Sequence, residues 1–177
     1  MTIQIVENII EVPESVQLTL EGRKITVSGH KRKLVKDFSH TKIKMTKEDK
    51  NLRLSVENPR RAEAALIGTI SAHVKNMIKG VTQGFTYKMK IVFVHFPMGI
   101  KIQGKSVLIE NFVGERSARI AKIHGETKVT VKQDDIIIEG IDIEDVSQTA
   151  ANIQTRTKIR NKDLRKFLDG CYVYSKE

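Results

Sequence analysis

Residues 155–172 read T-R-T-K-I-R-N-K-D-L-R-K-F-L-D-G-C-Y. Six cations (Arg156, Lys158, Arg160, Lys162, Arg165 and Lys166) stand there against two anions, Asp163 and Asp169. A cationic stretch this dense favours phosphate, which arginine grips bidentately while lysine adds a point charge. Its spacing continues an amphipathic helix, the Asp169-Gly170 pair signals a turn, and Phe167 and Tyr172 supply aromatic anchoring. A second basic run, E-R-S-A-R-I-A-K at 115–122, carries Arg116, Arg119 and Lys122 on an expected hairpin.

A different phosphate chemistry is spelled at 99–106. G-I-K-I-Q-G-K-S, from Gly99 to Ser106, matches the phosphate-loop pattern G-x-x-x-x-G-K-[ST]. Such a loop must open into a helix whose first N–H groups hold the phosphates. Ser106 runs instead into V-L-I-E-N-F, and the loop interior alternates as a strand does. A nucleotide-binding protein centred on Lys105 is therefore the alternative that fails its own context. The histidines (30, 40, 73, 95 and 124) are scattered, and one cysteine gives no zinc spacing. No catalytic, metal or cofactor-binding residue is nominated, and no small-molecule substrate is expected. The acids Asp134, Asp135, Glu139, Asp142, Glu144 and Asp145 read as a turn followed by anions at the positive end of a helix. His73, on a helical apolar face, reads as a core histidine.

The bulk properties agree with an anionic partner. The 177 residues carry a formal net charge of +10 and a pI near 9.7. Through Lys90, seventeen Lys and Arg face nine acids; beyond it, fourteen face twelve. The second half is thus nearly neutral but polarised, with acids at its helix start and cations past its helix end. Aromatics make up only 5% and Trp is absent, which disfavours a single-strand reader built on stacking platforms. The lone Cys171 forms no intrachain disulfide and reads as a small apolar filler, which suits a reducing compartment. The N-terminal M-T-I-Q-I-V-E-N-I-I-E-V-P lacks a basic segment followed by an apolar core, so no signal peptide is expected. The longest apolar run, 91–94, falls far short of the ~20 residues of a membrane span. A cytoplasmic protein with no membrane partner is expected.

The elements that position these residues come in two sets. Period-two segments at 16–20, 25–27, 34–38, 43–45 and 52–56 read as strands. Asn58 and Pro59 then suit a helix N-cap and first turn, with Ala62, Ala65, Leu66, Thr69, Ile70, His73 and Met77 on one face and Gly80 as its stop. Residues 85–93 alternate again. From Phe96 the order restarts: strands at 107–109, 118–123, 128–131 and 136–138, then a helix from Asp142 with Val146, Thr149, Ala150, Ile153 and Thr157 on one face. An offset of 86 residues carries Thr69 to Thr155, Ile78 to Leu164, Val81 to Phe167 and Gly84 to Gly170. The expectation is an α+β chain of two tandem homologous domains, 1–84 and 85–177, each a small, mostly antiparallel sheet structure packed on one helix.

Four segments carry a family resemblance. They are N-M-I-K-G-V-T-Q-G-F at 76–85, E-N-F-V-G-E-R at 110–116, Q-T-A-A-N-I at 148–153 and N-K-D-L-R-K-F-L-D-G-C-Y at 161–172. Together they resemble the universal large-subunit ribosomal protein numbered six in bacteria and nine in eukaryotes, in its archaeal and eukaryotic branch. The likeness covers nearly the whole chain. Cys171 and Val113 depart from it, where a larger aliphatic residue and leucine are usual, and neither touches a charged contact. The resemblance implies a structural ribosomal constituent and no enzyme. It implies binding to large-subunit rRNA, mainly through the second domain, beside the sarcin–ricin stem-loop where translational GTPases dock. Neighbouring large-subunit proteins are implied partners. The implied contacts are Arg116, Arg119, Lys122, Arg156, Lys158, Arg160, Lys162, Arg165 and Lys166, which charge alone also singles out. A non-ribosomal RNA-binding adaptor is the remaining alternative.

Overall fold

The computed structural model describes residues 5–29, 32–48, 51–94 and 96–177. The chain divides into two compact units, Met1–Gln83 and Gly84–Glu177. In the first unit, β1 (Ile5–Glu11), β6 (Asn51–Glu57) and β5 (Lys44–Glu48) form one antiparallel sheet. Strands β2 (Gln17–Glu21), β3 (Lys24–Ser28) and β4 (Lys33–Asp37) form a second. Alternation decides which side chains go inside: Ile25 and Val27 of β3, and Leu52 and Leu54 of β6, are wholly buried between outward polar neighbours.

Helix α1 (Arg61–Thr82) packs on β1, β6, β3 and β4. Three details differ from the sequence reading. Arg60, not Asn58, precedes the first turn, and its N–H donates to the Glu63 carboxylate at 2.9 Å. Asn58 instead takes a left-handed φ of 46° just upstream. The buried stripe is Ile67, Ile70, Ser71, Val74, Met77, Gly80 and Val81, so Ala62, Ala65 and Thr69 fall outside it. Ile67, Val74 and Val81 recur every seven residues, and burying these large side chains outweighs the alanines that suggested the other face. Gly80 lies inside the helix on that stripe, and the left-handed exit falls to Gly84, φ 80°.

The second unit repeats the plan. Strands β8 (Gly99–Gln103), β9 (Ser106–Glu110) and β10 (Arg119–Lys122) form a three-stranded antiparallel sheet. Its partner sheet runs in the order β11 (Lys128–Lys132), β12 (Asp135–Gly140), β7 (Phe85–Val92), β13 (Gly170–Lys176). Helix α2 (Ile143–Arg156) packs on β10, β12, β7 and β13. Its core joins Met89, Ile136 and Ile138 to Val146, Ala150 and Ile153. The phosphate-loop pattern lies in the β8–β9 hairpin. Gln103 pairs with Ser106, leaving Gly104 (φ 57°) and Lys105 as a two-residue turn with no helix behind it.

Candidate nucleic-acid interface

The helical spacing of 155–172 does not extend the helix: α2 ends at Arg156, and the chain turns back to enter β13. Thr157 holds the exit. Its buried hydroxyl returns to the Ile153 and Gln154 carbonyls at 3.2 Å, and accepts the Cys171 N–H at 3.0 Å. That last bond ties the helix exit to the first residues of β13. At the 86-residue offset, Thr157 corresponds to Ser71, which stays inside α1. The second copy thus unwinds where the first continues, and its cations lie on irregular backbone. Asn161 takes φ 59°, and the Asp163 carboxylate accepts the Arg165 N–H at 2.9 Å, folding 161–167 into tight turns.

The structure brings four of the nine nominated cations together at this end of the second unit. Arg119, Thr155, Arg156, Lys158 and Arg160 line one open hollow with Ile120. Arg156, Lys158 and Arg160 are exposed, as are Lys162, Arg165 and Lys166 in the following turns and Arg116 ahead of β10. Lys162 places its ammonium 4.8 Å from the Phe167 ring centroid, so the ring holds the chain above it. Lys122 sits apart. It lines a different groove, near the start of α2, with His124, Asp145 and Asn152. There Asn152 Nδ2 donates to the Lys122 carbonyl at 2.9 Å, and His124 Nδ1 lies 2.8 Å from Asp145 Oδ1.

Arg119 is the residue whose role the sequence could not give. Its Nε donates to Glu115 at 2.8 Å, and its Nη1 donates to the Arg156 carbonyl at 2.6 Å. The guanidinium carbon lies 4.3 Å from the Phe112 ring centroid. The hydrogen bond from Arg119 holds the Glu115 carboxyl below its ordinary value. These donors therefore join β10 to the last turn of α2, where the helix dipole also favours a cation. The loop supporting them, Phe112–Gly114, is a short 3-10 turn in which Val113 adopts φ 52°. A β-branched residue in that region costs on the order of 1–3 kcal/mol, and burial of Phe112 beneath the guanidinium helps to hold it.

The acidic run also finds places. Asp142 caps α2 by accepting the Glu144 N–H at 2.9 Å, Asp135 lies 3.3 Å from Lys90, and Asp145 faces His124. Cys171 is buried, and burial pushes its thiol up to about 12 despite a lowering hydrogen bond from Thr157. Sequence reasoning missed two strands, β1 and β13. In β13 the alternation of C-Y-V-Y-S was visible but lay directly behind the cations, whose helical spacing dominated.

Comparison with known proteins places these features in a wider group. The profile of the family described as Ribosomal protein L6 matches residues 12–84 and again 96–170. The chain is 46% identical over 169 residues to the large ribosomal subunit protein uL6 of Aeropyrum pernix, covering 95% of this chain and 93% of that one. It is 48% identical over 177 residues to the uL6 of Ignicoccus hospitalis, covering 97% and 95%. Against the uL6 of Methanosphaera stadtmanae it is 48% identical over 172 residues, covering 97% and 94%.

Proposed function

The chain belongs to the ribosomal protein L6 family, and from that membership we propose that it is a structural protein of the large subunit in cytoplasmic ribosomes, binding rRNA through its second unit. The observation that supports this reading is the unwound exit of α2, where Arg156, Lys158, Arg160, Lys162, Arg165 and Lys166 are exposed together. Irregular backbone lets consecutive cations face one partner, which a regular helix would spread around its axis. Arg116 extends the surface across the β9–β10 connection, whereas Lys122 lies apart in the groove near the start of α2. Arg119 takes the positioning part, since it already donates to Glu115 and to the Arg156 carbonyl.

The chemistry is phosphate clamping of folded RNA. Guanidinium groups bind phosphate oxygens in pairs, and lysines neutralise charge, with the RNA recognised by shape. The family resemblance extends the proposal to a seat beside the sarcin–ricin stem-loop, among neighbouring large-subunit proteins and near the docking region of translational GTPases. The work is scaffolding and not catalysis.

Co-sedimentation with large subunits through a high-salt gradient tests the assignment. Retention, and its loss when Arg160, Lys162 and Arg165 are all replaced by Ala, is expected. Failure of the wild-type chain to sediment with the subunit would favour a free-standing adaptor. Saturable, magnesium-dependent nucleotide binding lost in Lys105→Ala would overturn the reading in favour of the β8–β9 turn.

A further inference from the structure

Residues 155–160 form a ridge with a hollow on each side. One is the cationic hollow of Arg119, Arg156, Lys158 and Arg160. The other is a groove of about 590 Å³ whose lining includes Gln154, Thr155, Lys158, Ile159, Leu164 and Tyr172. Thr155 and Lys158 line both. The groove differs from its neighbour in chemistry: Ile159, Leu164 and the Tyr172 ring give it apolar walls, while Gln154 and Thr155 add neutral donors and acceptors.

The aromatic wall is held in place. Tyr172 Oη donates to the Leu168 carbonyl at 3.3 Å. A Cβ at Gly170 would approach the Tyr172 ring to 3.0–3.1 Å, so glycine there admits the ring. Yet Tyr172 remains 44% exposed and Leu164 64% exposed. A fixed, half-open ring beside an exposed leucine presents an apolar slot to solvent, and the cations across the ridge attract a polyanion to it.

We propose that this groove receives one unstacked nucleobase of the RNA whose phosphates occupy the cationic hollow. The inference rests on the rRNA-binding reading and adds a base-accepting site to it. A nucleotide strand crossing the ridge at Lys158 keeps its phosphates on the Arg156–Arg160 side and turns one base onto Tyr172 and Leu164. Gln154 and Thr155 then face the base edge. The chain's scarcity of aromatics is no obstacle, because the site needs a single ring and not a stacking platform.

The test uses the full chain and two RNA probes of equal length and charge: a hairpin with one bulged fluorescent adenine analogue, and its fully paired counterpart. The wild type is expected to bind the bulged hairpin roughly five- to a hundredfold more tightly, with quenching of the analogue. Tyr172→Ala is expected to abolish the preference and the quenching while leaving affinity for the paired hairpin unchanged; Tyr172→Phe retains both. Leu164→Glu, at an exposed position, is the second variant and should abolish the preference without disturbing the fold. Equal wild-type affinity for the two hairpins, or a preference indifferent to both disruptive variants, overturns the base site while leaving phosphate binding standing. Binding of neither hairpin overturns the RNA reading beneath it. Tyr172-dependent capture of an acidic, leucine-containing peptide in place of the bulged hairpin assigns the groove to protein and also overturns the proposal.

Discussion

Arg119 Nη1 donates to the carbonyl oxygen of Arg156 at 2.6 Å, joining β10 to the last residue of α2. Arg119→Ala is therefore expected to act by removing a brace rather than a phosphate ligand. Charge-assisted bonds of this kind contribute roughly 1.5–3 kcal/mol, and partial exposure lowers the expected loss to about 1 kcal/mol. RNA affinity should fall because the cations beyond Arg156 lose their fixed geometry. The log–log salt slope should stay unchanged, whereas Arg160→Ala lowers it by about 1. Salt titration of the two variants separates the roles; an equal drop in slope for Arg119→Ala would make it a direct ligand.

Acid should release the same brace from its other side. Glu115 has its folded-state carboxyl lowered from 4.5, first by its hydrogen bond with Arg119. A lowered carboxyl stabilises the fold above its unfolded value, and that contribution is lost as pH falls through the folded value. Stability should accordingly decline below the ordinary carboxylate range with a component absent from Glu115→Gln. Denaturation midpoints of the two proteins between neutral and acid pH check this, and parallel curves would refute it.

Cys171 should be chemically silent in the folded chain. Its buried thiol, with a value raised to about 12, offers almost no thiolate at neutral pH. Alkylation followed by mass spectrometry should show protection under native conditions and full labelling in denaturant. Rapid native labelling would mean that β13 opens away from β7.

Much of this architecture was legible because burial imposes its period on the sequence. In β7, Phe85, Tyr87, Met89 and Ile91 point inward between Thr86, Lys88 and Lys90. The 86-residue offset likewise marked the repeat, although it sets Gly84, just past α1, against Gly170 at the start of β13, well beyond the end of α2 at Arg156. What could not be read was a competition at one side chain. The helical spacing of Lys158, Lys162 and Arg165 is real, but the chain leaves the helix at Arg156 and Thr157 ties the exit to β13 by accepting the Cys171 N–H. Arg119 was invisible for a related reason: charge shows what a residue can bind, while only the fold shows that Glu115 and Arg156 reach it first.

Thr157 itself can be tested. Thr157→Val keeps the branched shape but leaves the buried Cys171 N–H without its acceptor. An unsatisfied buried donor costs roughly 1–3 kcal/mol, so chemical denaturation should show a loss of that size. Thr157→Ser retains the hydroxyl and should recover most of it. Equal stability of the valine and serine forms would remove the hydroxyl from the account of how the exit of α2 is tied to β13.

The charge of the unwound exit makes the most direct prediction about the partner. If roughly six phosphates are neutralised, log affinity should fall against log salt with a slope of about −4 to −5. Replacing Arg160, Lys162 and Arg165 by Ala removes up to three of these contacts and should reduce the slope by about 2 to 3. Because the three side chains are exposed, the fold should survive, and a thermal melt verifies this. A weakened complex with an undiminished slope would mean that the substitutions act through shape. Unchanged binding would move the interface away from the α2 exit altogether, toward Arg116 and the β9–β10 connection.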